Sequence, residues 1–346
     1  MYKISYTELH IGNSTLYAFS NFKIALTVKY PSANVKIIID NGIVNKEWSF
    51  LNREFRYIVI TDTNLTKFYA KLLSTIPNLE TILAIKPGEK AKSISVYEKI
   101  IQSLVKLNIT KNDIIIAFGG GVIGDLTTFV ASTYLRGVKY IQIPTTLVSQ
   151  INSSIGGKCG IDIINKNSIG AFYHPLTIII DPQVLQTLPS SEFENGISDM
   201  IKYAMVKDEK MYQEILNEIT ANYENLTELI KRCVSIKISL GLKAELHHDD
   251  NNLLNYGLLY GNIIDRLSHT KLPYGKMIAT GMYYELQDLD LKNNFKTILA
   301  KYHLDSDLSK WNIDYLKYLS QENSSYVCVN IDKIGKAKLI HHELDI

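Results

Sequence analysis

The stretch that most constrains this chain runs from Ile114 to Asp125 and reads IIIAFGGGVIGD. A β-branched apolar run passes directly into a triple glycine, and the glycines pass into a segment of helical character. A short strand that is apolar throughout belongs in a parallel sheet covered by helices on both faces. Glycines at its carboxyl end let backbone N–H groups approach an anion at the start of the next helix. The stretch therefore predicts an α/β fold with a phosphate-type ligand at a strand end.

The surrounding sequence repeats that pattern. VKIIID (35–40), YIVITDTN (57–64), TILAI (81–85) and DIIIAF (113–118) read as strands. NLTKFYAKLLSTI (64–76), with Asn64 or Thr66 as its cap, and SISVYEKIIQSLVKLN (93–108), with Ser93 near its cap, read as helices. Alternating strands and helices predict a parallel, Rossmann-like, doubly wound sheet. Residues 1–26 read as short strands near a sheet edge. After TLPSSEF (187–193) long helical patterns dominate. The expected division is an N-terminal extension over 1–26, an α/β nucleotide-binding domain over 27–185 and a mostly α-helical domain over 186–346.

Composition excludes several partners. A net charge of +2 with no basic tail argues against nucleic acid or a membrane surface. No apolar run reaches the roughly 20 residues needed to span a bilayer. The three cysteines, Cys159, Cys233 and Cys328, form no CxxC pair and suit a reducing cytoplasm better than a disulfide framework. The opening MYKISYTELHIGNS lacks the basic start and apolar core of a secretory leader. The expectation is a soluble, cytoplasmic protein.

Polar residues gather at the predicted strand ends. Asp62 and Asn64 suit ribose or adenine groups, although a turn and a helix cap explain them as well. Gly120, Gly121 and Gly124 suit a pyrophosphate. Asp125 would repel phosphate, and so suits a ribose hydroxyl or a cap. Thr145 and Thr146 offer hydroxyls after Pro144 stops the next strand. Among the cationic residues Arg136, Lys158, Lys166, Lys202 and Lys237, a solvent-exposed role fits Lys158 and Lys202 poorly. Such groups beside a strand-end cleft point to a small phosphorylated or carboxylated ligand.

The ordered pieces TDTN, PGEKAK, GGGVIGD, YLRG, PTTL, SSIGGK, KNSIGAFY, TLP, IKY and LNYG resemble those of 3-dehydroquinate synthases and related sugar-phosphate cyclases. The resemblance spans about residues 28–346. It implies an NAD-binding α/β domain, a helical domain, and a seven-carbon sugar phosphate as substrate. The reaction implied uses NAD transiently, eliminates phosphate and relies on a divalent metal, usually zinc. By resemblance the cofactor contacts fall on Asp62, Asn64, Glu89, Lys92, Gly120, Gly121, Asp125, Thr145, Thr146, Asn152, Lys158, Lys166 and Thr187. Asn152 replaces an aspartate. The substrate and catalytic positions fall on Arg136, Lys158, Lys202, Lys237 and Asn255. A homodimer, with Arg136 serving the neighbouring subunit, is the implied assembly.

The metal set departs from that pattern. Asp199 stands in place of a glutamate, Leu258 and Tyr274 in place of two ligand histidines, and Asn262 in place of an active-site histidine. Lys276 replaces an acid, Asn251 an arginine, and LSQEN (319–323) a lysine-containing segment. Leucine cannot bind zinc and a neutral tyrosine is a poor ligand for it. The only dense ligand group, His247, His248, Asp249 and Asp250, reads as a solvated loop. No metal site is assigned. The leading expectation is an NAD-binding member of this fold that does not run the usual metal-dependent reaction. The alternatives are an active synthase or related cyclase with an altered, metal-poor site, and an NAD-dependent alcohol dehydrogenase on another substrate.

Overall fold

The computed structural model describes residues 6–11, 14–19, 24–46, 48–164, 166–217, 223–242, 253–268, 272–311, 313–319 and 325–343. The chain divides into two compact units, residues 1–188 and 189–346.

The first unit is built on a nine-stranded sheet. Its strands are β1 (Tyr6–Ile11), β2 (Ser14–Phe19), β3 (Ile24–Lys29), β4 (Asn34–Ile39), β5 (Tyr57–Asp62), β6 (Leu79–Ile85), β7 (Ile114–Gly119), β8 (Lys139–Pro144) and β11 (Thr177–Ile180). The order is β1-β2-β3-β4-β11-β8-β7-β5-β6. The strands from β4 to β6 pair in parallel. The first three join antiparallel at the β4 edge. Residue 26 lies within β3, so this edge is continuous with the parallel sheet. A separate antiparallel hairpin, β9 (Lys158–Ile161) and β10 (Ile169–Phe172), follows β8.

Three helices cover the sheet: α1 (Thr63–Leu73), α2 (Ile94–Lys106) and α3 (Gly121–Thr133). Alternation along β5 sorts its side chains between two cores. Tyr57 and Val59 join a core with Trp48, Phe118 and Leu73 of α1, whereas Ile58 and Ile60 join one with Ile100 of α2 and Leu126 of α3. The cap of α1 is Asp62 rather than Asn64 or Thr66, its carboxylate accepting from the N–H groups of Asn64 at 2.8 Å and Leu65 at 3.0 Å. Ser93 precedes α2 without a side-chain capping bond. After β5 the chain moves to the β6 edge, and after β7 it moves the other way to β8. The crevice beyond the carboxyl ends of β5 and β7 is thus a topological switch point, where open α/β sheets place ligands.

The second unit contains α4 (Ser190–Lys207), α5 (Glu209–Asn217), α6 (Tyr223–Gly241), α7 (Leu258–Leu267), α8 (Tyr274–Glu285), α9 (Leu289–Lys301) and α10 (Tyr315–Leu319). It closes with an antiparallel hairpin, β12 (Ser325–Lys333) and β13 (Lys336–Glu343). The rest of the described second unit is mostly helical, as the sequence predicts. The hairpin is tied to α4 by the Gly335 N–H, which donates to the Met205 carbonyl at 2.8 Å. Helices α7 and α8 pack closely at Gly281, where an added Cβ would lie 2.0 Å from the Gly257 carbonyl oxygen. Among the described residues no helix is long and apolar enough to cross a membrane.

Candidate functional site

The glycine run of the first unit forms a cradle at the switch point. Gly120 caps α3 without any side-chain bond, which leaves the first N–H groups of a 13-residue helix open to a ligand. A Cβ on Gly120 would come within 2.8 Å of Thr146 Cγ2, and one on Gly121 within 3.2 Å of Ser153 Oγ. The Ser153 hydroxyl oxygen is buried and has no hydrogen-bond partner. Open helix N–H groups, a wall that excludes Cβ atoms and an unpaired hydroxyl together fit a phosphate group. A turn of π-helix at Ser149–Ser153 carries this wall, a geometry often found at functional sites.

The neighbouring threonines brace the cradle. Thr145 is buried, and its N–H donates to the Gly119 carbonyl at 3.0 Å. The Thr146 hydroxyl lies 2.9 Å from Ser149 Oγ. Thr187 Oγ1 lies 3.2 Å from the Tyr69 hydroxyl of α1. Asn152 sits half-buried on the π-turn.

Four predicted cofactor residues gather beside α3. Lys92 is 3% exposed, and its ammonium donates to Asp125 Oδ2 at 2.8 Å and Asn167 Oδ1 at 2.5 Å. Glu89 lies 3.6 Å from Lys92 and also 3.6 Å from the 67%-exposed Lys166. Burial works against the Lys92 charge, yet the Asp125 carboxylate outweighs it and raises the ammonium above the ordinary lysine value. Burial in turn raises the Asp125 carboxyl, against the pull of Lys92. Asp125 is therefore an ion-pair partner inside α3 and not a helix cap, one of the two roles the sequence offered it. The same knot fastens the β9–β10 hairpin, because Asn167 N–H donates to Asp162 Oδ1 at 2.6 Å and Asp162 N–H to the Lys92 carbonyl at 2.7 Å.

Other predicted cations lie apart from this knot. Lys158 is exposed, contrary to expectation, with its ammonium 5.6 Å from the Phe172 ring centroid. Arg136 is exposed in a turn where it and Leu135 both hold positive φ, 63° and 50°.

In the second unit Asp199 and Lys202 face each other one turn apart on α4, 0% and 2% exposed. Lys202 Nζ lies 2.5 Å from Asp199 Oδ1, and 5.6 Å from the buried Tyr203 ring. The Tyr274 hydroxyl, at the start of α8, donates toward both Asp199 oxygens at 3.3 Å. Asp199 and Tyr274, two positions matched to metal ligands, thus meet, and the third is Leu258, half-buried as the first residue of α7. One carboxylate, one phenol and one alkyl chain do not make a zinc site. Among the described residues no group of three His, Cys, Asp or Glu side chains is placed to hold a metal ion.

Lys237 lies half-buried on α6, Asn255 half-buried in a 3₁₀ turn before α7, and Asn262 exposed on α7. Lys276 donates to the Asp305 carbonyl at 3.0 Å. Asn251, the His247–Asp250 group and residues 320–323 lie outside the described residues. Three residues are additional to the sequence reading. Ser153 and Asn167 sit inside the quoted motifs SSIGGK and KNSIGAFY, which were read without giving either residue a role. Glu285 carries no local signal. Its buried carboxylate accepts the Gly257 N–H at 3.0 Å, and its other oxygen has no hydrogen-bond partner. Burial pushes that carboxyl up to about 8, against backbone N–H groups of Gly257, Tyr260 and Leu259 and the charge of Lys202.

Comparison with known proteins gives the family. The 3-dehydroquinate synthase N-terminal profile matches residues 82–195, and the C-terminal profile matches residues 196–322. A 3-dehydroquinate synthase of Clostridium kluyveri is 38% identical over 303 residues, covering 81% of this chain and 83% of that protein. One from Clostridium botulinum is 33% identical, covering 91% and 97%. Among solved structures, 2-deoxy-scyllo-inosose synthase complexed with carbaglucose-6-phosphate, NAD+ and Co2+ shares the fold. Its TM-score is 0.78 at 19% identity, covering 92% of this chain and 96% of that one. The 2-epi-5-epi-valiolone synthase of Streptomyces hygroscopicus subsp. jinggangensis, with NAD+ and Zn2+ bound, has a TM-score of 0.77 at 19% identity, covering 90% and 93%. By both profiles and by the two clostridial relatives, the chain belongs to the 3-dehydroquinate synthase family.

Proposed function

We propose that this chain binds NAD through its first unit and does not run the divalent-metal-dependent conversion of a seven-carbon sugar phosphate to 3-dehydroquinate. The NAD half of the reading is supported by the cradle and by the structural relatives solved with NAD+. Gly120, Gly121, Thr146 and Ser153 would hold the pyrophosphate, with Asp62, Asn64 and the Lys92–Asp125 knot beside it. NAD, when bound, supplies a hydride acceptor.

The second half rests on one observation, the set Asp199, Leu258 and Tyr274. A Lewis acid stabilises the oxygen of an alcohol being oxidised by several kcal/mol, and this donor set gives none a seat. Lys202 would otherwise hold or move a proton at its Nζ, but Asp199 already engages it.

Two measurements test the reading on the full chain. Calorimetric titration with NAD should show binding, and phosphate release from the seven-carbon substrate should stay at background with NAD and with zinc or cobalt added. Robust turnover would overturn the loss of the family reaction, and an absence of NAD binding would overturn the cofactor assignment. Assembly as a homodimer is the arrangement we propose for this binding, to be tested by sedimentation.

A further inference from the structure

The departure from the metal set goes further than a loss of ligands. We propose that Tyr274 takes the place of a lost metal ligand on Asp199, and that the site is closed to metal while Tyr274 and the family-matched Lys202 keep Asp199 fully engaged.

Asp199 is fully buried, and a buried carboxylate needs a compensating positive charge or hydrogen bonds. Both are present within the unit. The Lys202 ammonium lies 2.5 Å from Oδ1, and the Tyr274 hydroxyl donates toward both oxygens. The ammonium is held a second time by the Tyr203 ring face at 5.6 Å. A metal entering here would have to displace a buried ammonium and a phenol hydrogen bond. In return it would gain, among the described residues of the matched set, one carboxylate, because Leu258 offers no donor. Six-coordinate cations fare no better, since they need several oxygen ligands and the described residues gather no group of three His, Cys, Asp or Glu side chains to hold one. Glu285 accepts the Gly257 N–H with one carboxylate oxygen.

This inference rests on the family placement and on the proposed loss of metal chemistry, but its test reads metal binding rather than turnover. The full chain, purified without chelator, is assayed for metal by elemental analysis and titrated with Co2+ while its visible absorption is followed. Melting temperature is recorded with and without EDTA. The expected result is far less than one metal per chain, no cobalt band and a melting temperature that EDTA does not move. The combined variant Leu258→His/Tyr274→His/Lys202→Met frees Asp199 and supplies two imidazoles. It should bind about one Co2+ per chain with a tetrahedral-type band. Should that variant fail to fold, Leu258→His/Tyr274→His alone should bind cobalt more weakly than a version that also carries Lys202→Gln.

Stoichiometric metal in the unmodified chain, removed by Asp199→Asn and accompanied by an EDTA-sensitive melt, would overturn the proposal. Turnover in a metal-free chain would overturn the loss of the family reaction and leave this proposal standing. Bound metal without turnover would do the reverse.

Discussion

The Tyr274 hydroxyl stands 3.3 Å from each carboxylate oxygen of Asp199, joining residues 75 positions apart in sequence. It meets a carboxylate that water does not reach, so its loss should be felt. Tyr274→Phe keeps the ring and removes only the donor. It is expected to destabilise the chain by about 1–3 kcal/mol, the range for an unsatisfied buried polar group. Urea unfolding checks it, and an unchanged midpoint would show that Lys202 alone satisfies Asp199.

Removing the ammonium should cost more. Lys202→Met leaves the buried Asp199 carboxylate without its ammonium, and breaking a buried pair in this way typically costs about 3–5 kcal/mol. The double variant Asp199→Asn/Lys202→Met removes both charges and should recover much of that loss. If the two single changes simply add in a double-mutant cycle, the residues are not coupled and the ion pair has been overvalued.

A pH dependence follows from Glu285. Its carboxyl is pushed up to about 8 in the folded chain from an ordinary value of 4.5, with burial the largest cause. Between those values the native state holds a proton that the unfolded state has released. Stability from this group is therefore full below the unfolded value and falls as pH rises through the folded one. The slope is at most about 1.4 kcal/mol per pH unit. Glu285→Gln should flatten the profile of urea midpoints across that interval. A wild-type profile that is flat, or that rises with pH without any change in the variant, would contradict the assignment.

The legible parts of this fold are those whose burial is local. Buried parallel strands such as Ile114–Gly119 are continuous apolar runs, and the glycines that follow mark a ligand end without any tertiary information. The hairpin of Ser325–Lys333 and Lys336–Glu343 was hidden because many of its positions are half-buried or exposed, which leaves only a weak alternation after a long run of helical segments. The ionic knot was hidden differently. Lys92 and Asp125 were each singled out, but their contact depends on α3 returning across the sheet to the segment before α2. Asp199 and Tyr274 meet only through the packing of α4 on α8, which no spacing rule gives.

The Lys92–Asn167 contact makes a further prediction about the first unit. Asn167→Ala removes the acceptor that ties the β9–β10 hairpin to the knot while leaving the Lys92–Asp125 pair in place. Amide hydrogen exchange over residues 158–172 should quicken, with β5 and β7 unchanged. Uniform protection in both proteins would mean that the ladder between β9 and β10 and the Asp162 contacts suffice to hold the hairpin.

The cradle itself is tested at Gly120. Its φ of −73° and ψ of −169° are extended backbone that alanine also adopts, so Gly120→Ala introduces little strain of its own. The new methyl would lie 2.8 Å from Thr146 Cγ2, and it would stand on the wall that faces the open N–H groups of α3. NAD affinity is expected to fall by roughly tenfold or more, about 1.4 kcal/mol per factor of ten, and the crowding against Thr146 should lower the melting temperature by a smaller amount. Adding Thr146→Ser removes Cγ2 and should relieve the crowding between the two side chains. If it restores stability but not affinity, the methyl obstructs the ligand directly. If it restores both, Thr146 was displaced and the cradle wall is what NAD senses. Unchanged NAD binding in Gly120→Ala would mean that the pyrophosphate does not lie against this glycine.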